Sequence, residues 1–278
     1  MIRAGQYHTL RIVKKVEFGL YLDAQGEELL LPKRFAPTGV KEGEDLKVFV
    51  YHDSEDRLIA TTQSPLGIAG DIVTLKVVGL TNQGAFLDWG LMKDLFIPLS
   101  QQKSNLFVGQ SITVLIYIDE KTGRVAATEK FDSYLSNDQI TLKELEEVDL
   151  LVHRRTELGF EVIINNKHIG LMHFGDVFQE ITLGERIKGY IRKIRPDDKI
   201  DVMPGQAGYK RVESETGKIL RLLNEKAGYL PFHDKSLPQD IYSYFGMSKK
   251  TFKMAIGALY KQQKISFTND GIQLITEE

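Results

Sequence analysis

Cysteine is absent from this chain of 278 residues. Its absence excludes disulfides, thiolate catalysis and any zinc site built on cysteine, and it suits a reducing cytoplasm. Long apolar runs are absent as well, since no stretch approaches the ~20 apolar residues of a membrane span. Arg3, Gln6 and His8 interrupt the N-terminal region where a signal peptide would be apolar. We therefore expect a soluble cytoplasmic protein with no membrane partner.

A strong net charge is also lacking, because 36 lysines and arginines face 38 aspartates and glutamates. The average hides a difference between the two ends of the chain. Residues 206–278 hold 11 basic and 8 acidic residues, whereas the preceding part holds 25 basic and 30 acidic residues. The overall field of such a body does not attract phosphates, so a nucleic-acid-binding protein of this composition needs locally placed basic residues.

The common catalytic motifs are missing too. Gly217-Lys218-Ile219 lacks both the upstream glycine and the Ser/Thr of a phosphate-binding loop, and no nucleophile elbow occurs. His153, His168 and His173 fall within about 20 residues, but no helical His-x-x-x-His pair or carboxylate spacing accompanies them. We therefore expect no catalytic residue, no metal site and no cofactor.

What the sequence does contain is a threefold repeat, which decides the fold class. Each copy has a glycine near the start of a short strand pair, and a second glycine about 25 residues later that precedes another strand pair. The first glycine of each copy is Gly19, Gly84 and Gly159, and the second is Gly43, Gly109 and Gly184. Three tandem small β-domains are the simplest interpretation.

The first copy shows the strand pattern most clearly. Alternation and turn residues predict strands over 8–16, 18–22, 29–31, 48–51 and 58–61. Five short strands in about 60 residues are typical of the OB-fold, a small Greek-key barrel. Gly19 and Gly84 fit the tight bend or bulge that closing a barrel requires. Residues 129–148 are expected to be an acidic linker between the second and third barrels.

The period changes near residue 206. We expect a helix over 214–226 capped by Ser214, a short helix through Ile241 and Tyr244, and a helix from Ser248 to about residue 263. A hairpin around Asn269-Asp270-Gly271 would follow. The predicted fold is mainly β: three tandem S1-like OB-fold barrels of five strands, then an α+β winged helix-turn-helix domain. The predicted domains are 1–64, 65–130, 131–205 including the linker, and 206–278.

The third helix of the winged domain carries a stripe of lysines. At 100° per residue they fall within an arc of roughly 120°, apart from the apolar arc that would face the core. The stripe consists of Lys249, Lys250, Lys253, Lys261 and Lys264. The helix contains no acid to pair with them, so a phosphate-contacting surface is one interpretation and a solvated lysine face is the other.

The barrels offer aromatic residues for stacking on bases, which is how single-stranded nucleic acid is commonly bound. The first copy has Phe18 and Tyr21 followed by Lys33 and Arg34, and the second has Phe86, Phe96 and Trp89 with Lys93 nearby. Aromatics at alternating strand positions are also common core residues, so both interpretations stay open. The third copy carries Glu161 at the position of Tyr21 and Phe86, which would repel a phosphate backbone.

Two segments resemble a known RNA-binding motif, that of the barrel named after ribosomal protein S1. They are Gly84-Ala85-Phe86-Leu87 and Gly170-Leu171-Met172-His173-Phe174, each upstream of a Val/Leu-Gly-Gln/Glu step. Three such barrels followed by a winged helix, over the whole chain, resemble the conserved virulence factor B family of bacterial RNA-binding regulators. The resemblance implies RNA-facing positions at Phe18, Tyr21, Phe86 and His173.

The sequence departs from that motif in each copy. Pro32 and Pro98 replace its histidine, Gln83 replaces its first aromatic in the second copy, and Glu161 replaces its second aromatic in the third. No copy holds the complete stacking set, so we expect low affinity per barrel and binding through several domains in series.

The leading hypothesis is a non-enzymatic, cytoplasmic protein that binds single-stranded RNA through the barrels and the winged helix. It would act as a post-transcriptional regulator of gene expression and virulence. A DNA-binding transcription regulator led by the winged helix is one alternative. A scaffold whose winged helix docks onto a ribosomal or polymerase protein is another, and a metal-dependent nuclease is a distant one.

Overall fold

The computed structural model describes residues 2–177, 180–205 and 208–275, and over 208–214 it describes the backbone alone. The chain forms two compact units, Met1–Leu135 and Ser136–Glu278. The first holds two β-barrels, and the second holds a third barrel and a helical domain. In the described part of the chain, no helix is both long enough and apolar enough to cross a membrane.

The first barrel has the five strands that the alternation predicts. They are β1 (Gln6–Val16), β2 (Gly19–Asp23), β3 (Glu28–Pro32), β4 (Asp45–His52) and β5 (Leu58–Thr61). The strands close in the order β1-β2-β3-β5-β4, with β3 and β5 parallel and the other pairs antiparallel. Inward-facing side chains such as Ile12, Leu22 and Val50 fill the interior.

The second glycine of each repeat forms the turn that enters the fourth strand of its barrel. Gly43 has a φ of 89°, which favours glycine, and its N–H donates to the carbonyl of Ile12 at 2.7 Å. Gly109 and Gly184 have φ values of 92° and 84° and make the equivalent bonds, to Val77 and Val152. The repeated glycine is therefore required by backbone conformation.

The first glycine of each repeat has a different role from the bulge or bend that we expected. The register shifts lie in the first strand of each barrel, between Ile12 and Lys14 in the first copy. Gly19 instead lies against β3, where an added Cβ would approach the carbonyl oxygen of Leu31 to 2.3 Å. The corresponding distances at Gly84 and Gly159 are 2.2 and 2.1 Å. Close approach of two backbones excludes a side chain there.

The second barrel is built on the same plan. Its strands are β6 (Ile72–Thr81), β7 (Gly84–Leu87), β8 (Leu95–Pro98), β9 (Ser111–Ile118) and β10 (Val125–Thr128). They form a sheet in the order β10-β9-β6-β7-β8, and the end strands β8 and β10 lie side by side, so this barrel is nearly closed.

The first two barrels share a hydrophobic core. Along β4, Val48 and Val50 face the interior of the first barrel, whereas Phe49 and Tyr51 pack with the core of the second. The rings of Phe49 and Trp89 meet edge to face at 5.5 Å. Burial on both faces explains why β4 has four consecutive buried residues in place of alternation.

The third barrel closes like the first, in the order β11-β12-β13-β15-β14. Its strands are β11 (Glu147–Arg155), β12 (Gly159–Ile164), β13 (His168–His173), β14 (Arg186–Ile194) and β15 (Ile200–Pro204). In the expected linker, Asn137 is bound to this barrel, because its side-chain amide bonds both the N–H and the carbonyl of Ile169. The start of the unit is thus tied to its own barrel.

The C-terminal domain has the predicted winged-helix arrangement. Its elements are α1 (Gly208–Glu225), β16 (Tyr229–Leu230), α2 (Pro238–Phe245), α3 (Lys249–Lys261), β17 (Ile265–Phe267) and β18 (Ile272–Leu274). Ser248 caps α3 by accepting a bond from the Thr251 N–H, as predicted. The helix α1 begins earlier than the predicted residue 214, and the side chain of Ser214 lies outside the described residues.

The predicted fold class is therefore confirmed: the chain is mainly β, with three closed or nearly closed five-stranded barrels and a winged-helix domain. The prediction that Lys264 belongs to the lysine stripe of the third helix was wrong. Gln263 has a φ of 57°, which is not helical, so α3 ends at Lys261 and Lys264 lies in the turn before β17. Helical spacing therefore does not position Lys264.

Candidate nucleic-acid interface

Equivalent faces occur on the three barrels, where the second strand begins beside the end of the third. The register aligns Gly19 with Pro32, Gly84 with Pro98 and Gly159 with His173. The three glycines at which a side chain is excluded therefore lie at the centres of these faces. The RNA-facing positions implied by the resemblance lie around these glycines: Phe18 and Tyr21 near Gly19, Phe86 near Gly84, and His173 opposite Gly159.

On the first barrel, the structure brings the predicted aromatic and basic residues together. The ring of Phe18 is 58% exposed and meets Tyr21 edge to face at 6.2 Å. The Lys33 N–H donates to the carbonyl of Phe18 at 2.9 Å, which joins the backbone of the exposed Lys33 to this face. The guanidinium of the neighbouring Arg34 lies over the ring of Phe35, at 4.9 Å. The Nζ atom of Lys14 lies 6.0 Å from the centroid of Tyr21. This face thus has an open aromatic surface edged by cations.

On the second barrel, Phe86 and Phe96 are cross-strand partners. Their ring centroids are 5.3 Å apart and both rings are half-buried. Phe96 lies over Gly84, where an added Cβ would come within 2.7 Å of the ring. Trp89, which the sequence offers as a further stacking residue, is instead a core residue: it is 3% exposed and its indole N–H donates to the carbonyl of Gly67.

Lys93 is a basic residue beside this second face. Its Nζ donates to the carbonyl of Asp53 at 2.7 Å, which ties the second barrel to the β4–β5 hairpin of the first. Burial lowers the pKa of Lys93, although Asp56 acts in the opposite direction. Burial, reinforced by Lys93, also lowers the pKa of His52 on that hairpin, so this histidine is held towards its neutral form.

The third barrel replaces the aromatic pair with a polar cluster. His173, predicted from the resemblance, bonds through Nε2 to Oδ1 of Asp201 at 3.0 Å. Arg195 binds the same carboxylate in a bidentate manner, at 2.6 Å through Nη2 and 2.8 Å through Nε. Burial raises the pKa of Asp201, but the bonds from Arg195 and His173 outweigh it and hold the pKa below its ordinary value. A cavity of about 530 Å³, lined in part by Leu158, Leu171 and Arg195, adjoins the cluster.

Sequence reasoning missed Arg195 and Asp201, although the repeat contains a signal for them. Arg195 begins the hairpin turn at the position where the first two copies have Asp53 and Asp119, as equivalent backbone bonds across the turn show. Only the third copy thus replaces that acid with an arginine. Glu161, predicted to repel phosphate, is paired with Arg154 at 2.8 Å, which offsets its charge.

On the winged domain, the helix α3 presents four of the predicted lysines. Lys250, Lys253 and Lys261 are exposed and Lys249 is half-buried. Lys253 approaches Asp234 at 3.7 Å, so it has an acidic neighbour from outside its own helix. Lys264, beyond the helix end, is also exposed.

Among the described residues, no group of three or more histidine, cysteine or carboxylate side chains could hold a metal ion. The geometry that the structure does present is a set of exposed aromatic and cationic groups on small barrels. Such groups suit stacking on bases and contacts with phosphates.

Comparisons with known proteins identify two family matches and a similar solved structure. The S1 domain family matches residues 4–63 and 69–129, and a CvfB-like winged helix domain matches residues 217–274. A crystal structure described as a multidomain protein with nucleic acid binding domains, from Streptococcus pneumoniae, is 22% identical. It covers 98% of each chain with a TM-score of 0.42.

Two relatives extend over most of the chain. YitL of Bacillus subtilis (strain 168) is 28% identical over 273 residues, which are 95% of this chain and 91% of YitL. Conserved virulence factor B of Staphylococcus aureus (strain N315) is 30% identical over 250 residues, which are 84% of this chain and 80% of that protein. The S1 domains support a nucleic-acid-binding role, and the chain belongs to the conserved virulence factor B family.

Proposed function

We propose that this protein binds single-stranded RNA in the bacterial cytoplasm and regulates gene expression after transcription, without enzymatic activity. The observation that carries the proposal is the pair of faces on the first two barrels. Tyr21 and Phe86 lie at equivalent register positions in one compact unit, and each has a second aromatic ring beside it, Phe18 on the first barrel and Phe96 on the second. A strand of unpaired bases can stack on both pairs, and each stacked base contributes roughly 1–3 kcal/mol.

The cationic residues complete this interface. Lys33 and Arg34 would contact the phosphates of bases stacked on the first barrel, and the lysines of α3 would contact phosphates further along the strand. The cluster of His173, Arg195 and Asp201 would read polar groups of a nucleotide on the third barrel. Since each face is incomplete relative to the S1 motif, binding in series raises the overall affinity above that of any one barrel.

The domain boundaries at 1–64, 65–130, 131–205 and 206–278 are part of this proposal. The first two domains would act as one binding unit, because Phe49 and Tyr51 of the first barrel lie in the core of the second. A shared core holds two aromatic faces in a fixed relation and reduces the entropy lost when RNA bridges them.

A double variant tests the proposal. Phe18→Ala with Phe86→Ala removes one exposed or half-buried ring from each of the two faces and should weaken binding of single-stranded RNA by about 2–6 kcal/mol. Fluorescence anisotropy with a labelled RNA measures the loss. Phe107→Ala is the matched control, because Phe107 is 64% exposed in the same unit but lies in the turn before β9. Unchanged RNA affinity in a folded double variant would refute the proposal.

One observation favours a second candidate, binding of duplex DNA by the winged helix. The helix α3 follows a tight turn at Gly246 in a helix-turn-helix arrangement, and its exposed lysines resemble a groove-facing recognition surface. This function predicts tighter binding to duplex than to single strands, dependent on Lys249, Lys250 and Lys253.

A further inference from the structure

A cavity lies where the aromatic face of the second barrel meets the β4–β5 hairpin of the first. Its volume is about 460 Å³, which is within the range of small-ligand sites. Phe86 and Phe96 line one side, and Ser54 and His52 of the hairpin line the other. Both walls belong to the same compact unit and are joined by the bond from Lys93 to Asp53, so the cavity is a built feature of that unit.

The lining combines aromatic and charged groups. The two phenylalanine rings offer an apolar surface, and the two basic residues are Lys93, bonded to the carbonyl of Asp53, and Arg124, paired with Asp56. The Nδ1 atom of His52 is buried and has no hydrogen-bond partner among the described residues. A buried polar atom without a partner is costly, so this wall of the cavity contains an unmet hydrogen-bonding group.

The carboxylates in the lining are mostly engaged. Asp56 is paired with Arg124, and Asp119 accepts bonds from the N–H groups of Lys121 and Thr122. Asp94 is the remaining one, and burial followed by the influence of Asp88 raises its pKa. A carboxylate accepts hydrogen bonds, so Asp94 suits the ring N–H or amino groups of a base.

We infer that this cavity holds one nucleotide of a single-stranded RNA, with its base against Phe86 and Phe96 and its phosphate beside Lys93 and Arg124. The inference rests on the proposed function and adds to it a site that needs both barrels. A stacking face formed by the second barrel alone would not involve the hairpin of the first, whereas a nucleotide held in this cavity contacts both barrels.

The fluorescence of a tryptophan can report binding at this site. Trp89 is the single tryptophan of the sequence, and it lines the cavity. Titration with an unlabelled oligouridylate and an unlabelled oligoadenylate should change the tryptophan fluorescence over the same concentrations at which anisotropy of the labelled oligomers reports binding. A silent Trp89 in a complex that anisotropy shows to be formed would overturn the inference and leave the proposed function intact.

Two neighbouring substitutions test the role of the hairpin. Ser54→Tyr places a large side chain in the lining of the cavity. It should weaken RNA binding roughly tenfold, the loss expected for one stacked base, and abolish the fluorescence change. Glu55→Tyr is the control, because Glu55 is exposed on the same turn but does not line the cavity. Its RNA affinity should stay within about twofold of wild type.

The outcomes distinguish failure of the nucleotide site from failure of the proposed function. Full RNA affinity and an intact fluorescence change in a folded Ser54→Tyr variant would overturn the nucleotide site alone. Failure of the wild-type protein to bind either oligomer would overturn the proposed function and this site together. Because the fluorescence titration uses the wild-type protein, it tests the nucleotide site even if the Ser54→Tyr variant does not fold.

Discussion

Gly84→Ala tests the explanation of why glycine recurs at the start of the second strand in each barrel. The added Cβ would lie 2.2 Å from the carbonyl oxygen of Ile97 and 2.7 Å from the ring of Phe96. A carbon normally stays more than about 3.3 Å from such an oxygen, so β7 and β8 must separate by about 1 Å. The ring can turn away, but the backbone carbonyl can move only with its strand.

The expected loss of stability follows from that displacement. Overpacking typically costs about 1–3 kcal/mol, and loosening one or two bonds of the ladder adds about 1 kcal/mol each. We therefore expect the free energy of unfolding of the first unit to fall by about 3 kcal/mol, which lowers its Tm by roughly 10 °C. The displaced Phe96 should also weaken binding of RNA to the second barrel.

Urea unfolding monitored by the fluorescence of the buried Trp89 measures this loss of stability in the second barrel, which contains both Gly84 and Trp89. Gly79→Ala is the matched control on β6, where the nearest atom to an added Cβ lies at 3.6 Å in the ring of Phe86. That distance is an ordinary van der Waals contact, so the control should change the free energy of unfolding by less than about 0.5 kcal/mol. Equal losses for the two variants would refute the close-approach explanation.

Two further predictions concern the second unit. Asp201→Asn should lower its stability at neutral pH, because Arg195 loses its carboxylate partner. Since the pKa of Asp201 is held low, its contribution is complete above the ordinary aspartate pKa of about 3.9 and is lost as the pH falls through the folded-state pKa. The difference in free energy of unfolding between variant and wild type should therefore disappear on acidification. Urea unfolding followed by circular dichroism measures it, and a difference that stays constant with pH would contradict this role of Asp201. Lys250→Gln should reduce the salt dependence of nucleic-acid binding by roughly one unit of log–log slope, whereas Lys226→Gln, beyond the end of α1, should leave it unchanged.

Much of the fold could be predicted because alternation along a strand directly reflects the inside and outside of a barrel. The five strands of the first copy were predicted to within about three residues at each end, and α2 and the wing were predicted at their observed places in the chain. The shared core of the first two barrels was not predicted. Its signal was present in Val48-Phe49-Val50-Tyr51, an unbroken apolar run that indicates burial on both faces of a strand.

Sequence reasoning missed the features that depend on how the folded backbone brings residues together. The glycine at residue 84 looks the same locally whether it forms a bulge or admits a neighbouring backbone, and only the position of Ile97 distinguishes the two. Arg195 and Asp201 are six residues apart across a hairpin turn, and their pairing depends on that turn. The end of α3 depends on the left-handed backbone at Gln263, which no residue type requires.

The most direct test of the central claim is a titration by fluorescence anisotropy, with a labelled single-stranded RNA of about 20 nucleotides and a matched DNA duplex, each at two salt concentrations. Stacking on the barrels predicts tighter binding of the RNA, a modest dependence on salt, and a loss of RNA affinity in the variant Phe18→Ala with Phe86→Ala. Tighter binding of the duplex with a steep salt dependence, unaffected by that variant, would contradict the account and assign the function to the lysines of α3.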